Sequence, residues 1–206
     1  GTLASLAIPS PNPLVEGDRL QAFALTNKSY LQISSPEMNE QNRYDLCTAA
    51  FLNNRAADDG PPSAQYGPRD PSRKNVNPFV GNYSISTVLH LFPGVGQGEA
   101  TSVLTATVAR KSAEESTSGS QTIARLLGVW EDGMTFQEAT LKSADEIESR
   151  YIKVGMPTRI RELPNISQKN FSQIAQQTLR NFNYDSGTRS DDDQLKASLE
   201  LLEEAW

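Results

Sequence analysis

The chain has 206 residues, 37% hydrophobic and 21% charged, an ordinary globular balance that supports a soluble single domain. A net charge of -6 argues against nucleic acid as a partner, because binding phosphates calls for a basic face. No run approaches the roughly 20 apolar residues of a membrane span, and the N-terminus has neither the basic start nor the apolar core of a secretory signal. The single cysteine, Cys47, closes no internal disulfide, so a cytoplasmic, reducing location is expected.

Taken in chain order, Leu20, Phe23, Ala24 and Leu31 fall on one face at helical spacing and predict a first helix. Cys47, in the apolar run from Leu46 to Leu52, reads as a small core residue. Residues 55–78, with Asp58-Asp59-Gly60-Pro61-Pro62 and three later prolines, read as a polar loop insertion. Such a loop is either surface decoration or a lid carrying Tyr66 or Arg69. Residues 111–121, rich in Ser, Thr and Glu, read as a linker from the apolar segment Thr101 to Arg110 to the run Ile123 to Leu127. Thr135-Phe136-Gln137-Glu138 is a capping box. The helix it opens places Leu141, Ala144, Tyr151 and Val154 on a stripe and stops at Gly155, with Pro157 just beyond. Ser167 starts another helix with Phe171, Ile174, Ala175 and Leu179 inward. Asp191-Asp192-Asp193 suits the positive end of a last helix, whose buried stripe is Leu195, Leu199, Leu202 and Trp206. Strand-like runs are few and unpaired. The expectation is an all-α helical bundle over 1–206, its core drawn from Leu20, Phe23, Leu46, Phe51, Leu89, Leu126, Tyr151, Ile174, Leu199 and Trp206.

Five short motifs occur in a meaningful order: Ser10-Pro11-Asn12-Pro13-Leu14, Arg43 to Leu52, Gly81 to Glu99, Gly155-Met156-Pro157-Thr158-Arg159-Ile160-Arg161-Glu162-Leu163, and Glu204-Ala205-Trp206. Together they resemble the C-terminal helical domain of the iron-containing alcohol dehydrogenases and maleylacetate reductases, the dehydroquinate-synthase-like superfamily. In that family a histidine-bearing helix runs into a Pro-His-Gly loop, and two of its histidines grip a divalent metal. Here the loop is Gly96-Gln97-Gly98, and fourteen residues earlier stands Tyr83. The family's first metal-binding histidine aligns near Gly1, and its aspartate partner falls before it. The resemblance therefore implies the scaffold without the metal, since amides and un-ionised phenols are poor ligands. No nucleotide-binding half is legible either. Gly94-Val95-Gly96-Gln97-Gly98 follows a helix rather than a strand, so it reads as a turn between packed helices and not as a dinucleotide loop. Neither metal nor cofactor is expected.

His90 is the one histidine, too few for a histidine-rich zinc site and the sole imidazole available as a base. Tyr83, Thr87 and His90 share a helix face at spacings of four and three, and Gln97 and Glu99 follow at the former metal loop. Glu99 reads either as a carboxylate with a raised pKa in a desolvated pocket or as a capping group at a helix start. His90 reads either as a catalytic group or as a satisfied packing residue. The functional expectation is a cofactor-free, non-redox cyclase, isomerase or lyase, with a pericyclic step included, acting on a largely apolar small molecule held in a helical cleft. Tyr83, His90 and Gln97 would polarise a carbonyl, and Thr87, Glu99 and Tyr66 would bind substrate. Two rivals stand beside it: a non-catalytic binding or accessory protein, and the metal-domain half of a split dehydrogenase. Self-association is open in each case.

Overall fold

Capping chemistry sets most helix starts in the computed structural model, which describes residues 5–7, 12–59, 83–179 and 190–206. Asn12 accepts from Leu14 N at 3.0 Å and Pro13 fills the first position, opening α1 (Pro13–Ser29). Asn39 and Asn42 exchange side-chain to backbone hydrogen bonds of 3.0 and 3.2 Å ahead of α2 (Glu40–Asp59). α3 (Tyr83–His90) turns through residues 91–96 into α4 (Gln97–Lys111). Thr117 caps α5 (Ser118–Leu127). The expected box opens α6 (Phe136–Lys153), with Glu138 N to Thr135 Oγ1 at 3.2 Å and Thr135 N to Glu138 Oε2 at 2.8 Å. A short 3-10 turn behind Ser167 leads into α7 (Phe171–Leu179), and Ser190 caps α8 (Asp191–Glu204). Among the described residues every regular element is helical, as the sequence predicts. No described helix is long and apolar enough to cross a membrane.

α4 is the centre of the bundle. Ala100, Ser102, Val103, Leu104, Thr105, Ala106, Val108 and Ala109 are all buried, so it is covered on most of its circumference. One side packs with Ile85, Val88 and Leu89 of α3, Ile174 of α7 and Leu202 of α8. The other packs with Ile123 and Leu127 of α5 and Ala144 and Ile147 of α6. Alanines on α4 and α6 let the two backbones approach. Residues 155–163 brace these layers. Ser102 Oγ donates to the Pro157 carbonyl at 2.7 Å, Ile160 N donates to the Ala205 carbonyl at 2.9 Å, and Ile160 and Leu163 are buried. Arg159 pairs with Glu148 of α6, whose other oxygen takes Arg110 of α4 at 2.5 Å. Burial works against the Glu148 charge, but the Arg110 and Arg159 hydrogen bonds outweigh it and hold the carboxyl below its ordinary pKa.

The α1–α2 hairpin is built differently, and it corrects the expected core. Its interface buries Arg19, Ser29, Asn42 and Asp45 alongside Val15, Phe23, Ala49 and Ala56. Asp45 takes Lys28 at 2.8 Å, Gln41 at 2.7 Å and Ser29 at 3.2 Å. Hydrogen bonds from Lys28 and Gln41 hold its carboxyl below the ordinary value. With Ser29, Asn42 and Asp45 hydrogen-bonded to one another inside, the helices turn apolar residues outward: Leu20 is 45% and Phe51 63% exposed, and Ala24, Leu31 and Cys47 are exposed too. Cys47 is therefore a surface thiol rather than a core residue. Leu46, Leu126, Tyr151, Leu199 and Trp206 are half-buried, while Phe23, Leu89 and Ile174 are core as expected. On α6 the buried stripe is Ala139, Thr140, Ser143, Ala144 and Ile147, which leaves Leu141 exposed against expectation. Residues 111–121 carry the end of α4, a 3-10 turn at Ala113–Glu115 and the start of α5. Arg55 to Asp59 extends α2, and residues 60–82 lie outside the described residues.

Two measurements check this packing. A Cβ on Gly119 would sit 2.3 Å from the Ala7 carbonyl oxygen, whereas one on Gly17 of α1 meets nothing within 4 Å. Gly119→Ala is expected to lower unfolding free energy by about 1–3 kcal/mol, and Gly17→Ala to raise it by roughly 0.4–1 kcal/mol, in urea titrations. The second measurement concerns acid. Asp45 and Glu148 have folded-state pKa values below their unfolded ones, so their contribution is present above the unfolded carboxylate range and is lost as pH falls. Stability should hold down to about pH 5 and drop below about pH 4, with a shallower drop in Asp45→Asn and Glu148→Gln.

Candidate functional site

The apolar spacing of α3 fixes which of its side chains face outward. Ile85, Val88 and Leu89 are buried, so Thr87 and His90 lie on the opposite side of the helix. Thr87 is half-buried and His90 is exposed at the helix end. Tyr83 is described only as the first residue of α3, and Tyr66 lies outside the described residues.

His90 Nδ1 lies 2.8 Å from the carbonyl oxygen of Val95. A carbonyl only accepts, so Nδ1 carries the hydrogen, and in the neutral ring Nε2 holds the lone pair. The same contact closes the turn after α3, where Leu91 N donates to Val88 O, Phe92 N to Leu89 O and Val95 N to Phe92 O, each at 3.1 Å. Gly94 has φ +83, a conformation that favours glycine. Asn165 Nδ2 donates to the Pro93 carbonyl at 2.9 Å from the brace side. The glycine-rich stretch is thus a turn between packed helices, pinned at two carbonyls.

Gln97 is the first residue of α4 and is exposed; its own carbonyl accepts from Thr101 Oγ1 at 3.0 Å. Glu99 Oε2 accepts from Gly96 N at 2.8 Å, which is the geometry of the capping role. The structure thereby gathers His90, Gln97 and Glu99 around one six-residue turn, with Thr87 one helical turn before His90. Pattern reading passed over Val95 and Asn165. Val95 contributes only its carbonyl, which no side-chain motif signals, and the one cue at Asn165 is the Pro164-Asn165 pair, whose asparagine has φ 60.

The donor set here does not suit a divalent metal. His90 Nε2 is a single imidazole donor, Glu99 spends Oε2 on the Gly96 amide, and Gln97 offers only an amide. Among the described residues no three His, Cys, Asp or Glu side chains converge as ligands.

No family model and no curated protein matches the sequence. Solved structures do match by shape. An alcohol dehydrogenase from Oenococcus oeni superposes with TM-score 0.72 at 18% identity, over 100% of this chain and 49% of that one. A 1,3-propanediol oxidoreductase superposes with TM-score 0.68 at 19% identity, again over 100% and 49%. The chain spans about half the length of these relatives, and at this identity the likeness speaks to fold. This chain has the fold of the helical half of the iron-containing alcohol dehydrogenases.

Proposed function

We propose that the turn joining α3 to α4 binds a largely apolar carbonyl compound and catalyses a cofactor-free, non-redox rearrangement: an isomerisation, a ring closure or an elimination. The observation that carries this reading is the His90 Nδ1 contact with the Val95 carbonyl, which leaves Nε2 as a fixed, outward-facing proton acceptor. In an isomerisation Nε2 takes the proton α to the substrate carbonyl, the pair of that C–H bond forms the enolate C=C bond, and the carbonyl π pair moves onto oxygen. The Gln97 amide, with Tyr83 as a second donor, stabilises the resulting oxyanion. Return of the proton to another carbon completes the step with no net oxidation. Thr87 and Tyr66 contribute substrate contacts, and Glu99 supports the turn through the Gly96 amide. In this reading the partner is a small molecule in the cytoplasm, with neither nucleic acid nor a membrane involved.

The test compares His90→Asn with His90→Ala, Gln97→Ala and Tyr83→Phe on carbonyl metabolites suggested by genomic neighbourhood. Asparagine keeps a donor for the Val95 carbonyl but supplies no base. His90→Asn should therefore retain stability and lose about 10²–10⁴ in kcat, and Gln97→Ala about 10² or more. Full rates in all three positions, with folding intact, would sink the assignment.

A second reading is favoured by one observation, the 49% coverage of each alcohol dehydrogenase. It makes this chain the helical half of a dehydrogenase whose nucleotide-binding half is supplied separately. Affinity purification separates the two readings, because a stoichiometric nucleotide-binding polypeptide recovered with the chain supports the second.

A further inference from the structure

The described surface is unevenly apolar. Of ten exposed large hydrophobic residues, six (Leu14, Leu20, Leu31, Ile33, Tyr44 and Phe51) lie in or next to the α1–α2 hairpin. On α2 the buried positions are Asn42, Asp45, Ala49 and Ala56. The opposite face carries Glu40, Tyr44, Cys47, Phe51 and Arg55 at spacings of four, three, four and four, a continuous stripe along the helix. Tyr44 is 68% and Phe51 63% exposed. Arg55 is already ordered: its Nε lies 2.6 Å from Asp18 Oδ2, and its guanidinium stacks 5.8 Å from the Phe51 ring centroid. Interface centres are enriched in tyrosine, phenylalanine and arginine, and side chains held in place before association lose less entropy on binding.

The order of the stripe identifies its occupant. Read from either end it runs charge, aromatic, small residue, aromatic, charge, but with opposite charges at the two ends. We infer that this face of α2 pairs antiparallel with the same face of a second copy of the chain, about a two-fold axis passing between Cys47 and Thr48. That register places Glu40 against Arg55 of the second copy and Tyr44 against its Phe51, each contact occurring twice, as an isologous interface requires. A parallel arrangement would instead oppose Glu40 to Glu40 and Arg55 to Arg55. Charge complementarity therefore selects both the partner and its direction.

The test uses the full 206-residue chain. Light scattering after size exclusion should give twice the 22.6 kDa chain mass for the wild type. Phe51→Glu and Glu40→Arg, with helical circular dichroism unchanged, should each raise the dimer dissociation constant by about 10-fold or more. Cys47 is the only cysteine and is exposed, so a short bis-maleimide reports on this face alone. It should cross-link the wild type to a dimer on a denaturing gel and leave Phe51→Glu as monomer. A monomeric wild type at high concentration overturns the inference. A dimer that both variants leave intact overturns it as well.

Discussion

The bundle depends on the brace at residues 155–163, a turn leading into a 3-10 turn at Ile160–Glu162, which ties three helices that otherwise meet only through side chains. Each neutral hydrogen bond it makes is worth about 1 kcal/mol, so the bonds from Ser102 and Ile160 are not its main contribution. Their effect is positional. They hold Ile160 and Leu163 in the larger core cluster, where burying each side chain stabilises by roughly 2 kcal/mol. They also set Arg159 opposite Glu148, so that one carboxylate of α6 is shared by guanidinium groups from α4 and from the brace. The half-buried indole of Trp206 then packs edge-on against Phe171, with centroids 5.6 Å apart, next to the Ala205 carbonyl that accepts from Ile160. The C-terminus is thus fixed by the same segment that fixes α4.

What the sequence showed of this arrangement follows from which forces leave local signatures. The Thr135–Glu138 box, the start behind Ser167 and the inward face of α8 were legible because capping and helical periodicity act within a few residues. The α1–α2 interface was not. Apolar periodicity reports where large hydrophobic side chains lie, and here the interface is chosen by Asp45 and its partners Lys28, Gln41 and Ser29. Leu20, Cys47 and Phe51 were assigned inward because polar residues that satisfy one another across two helices look, in one dimension, like a solvated face. The stretch 111–121 misled in the same way. Its hydroxyls form a chain from Ser116 through Thr140 of α6 to Ser120, at 2.6 and 2.7 Å, so a Ser- and Thr-rich segment packs tightly against α6.

The candidate site shows the same division. That His90, Gln97 and Glu99 lie together around one turn was readable from the α3 periodicity and the glycines after it. The roles of individual atoms were not, because they depend on backbone groups: the Val95 carbonyl sets the histidine tautomer, and the Gly96 amide engages Glu99. A carboxylate that caps a helix serves that helix before it serves a substrate, which is why the proposed proton chemistry rests on His90 and not on Glu99.

These contacts also explain how the turn can carry different side chains at position 97. The turn's shape is imposed by the glycine at 94, by Asn165 on the Pro93 carbonyl, by His90 on the Val95 carbonyl and by Glu99 on the Gly96 amide. The Gln97 side chain is exposed, and none of these four constraints passes through it. A change of side chain at 97 therefore alters the chemistry offered to solvent while leaving the backbone path intact. In this turn the scaffold residues and the residue that would meet a ligand are separate, and position 97 is where the two can diverge at least cost to stability.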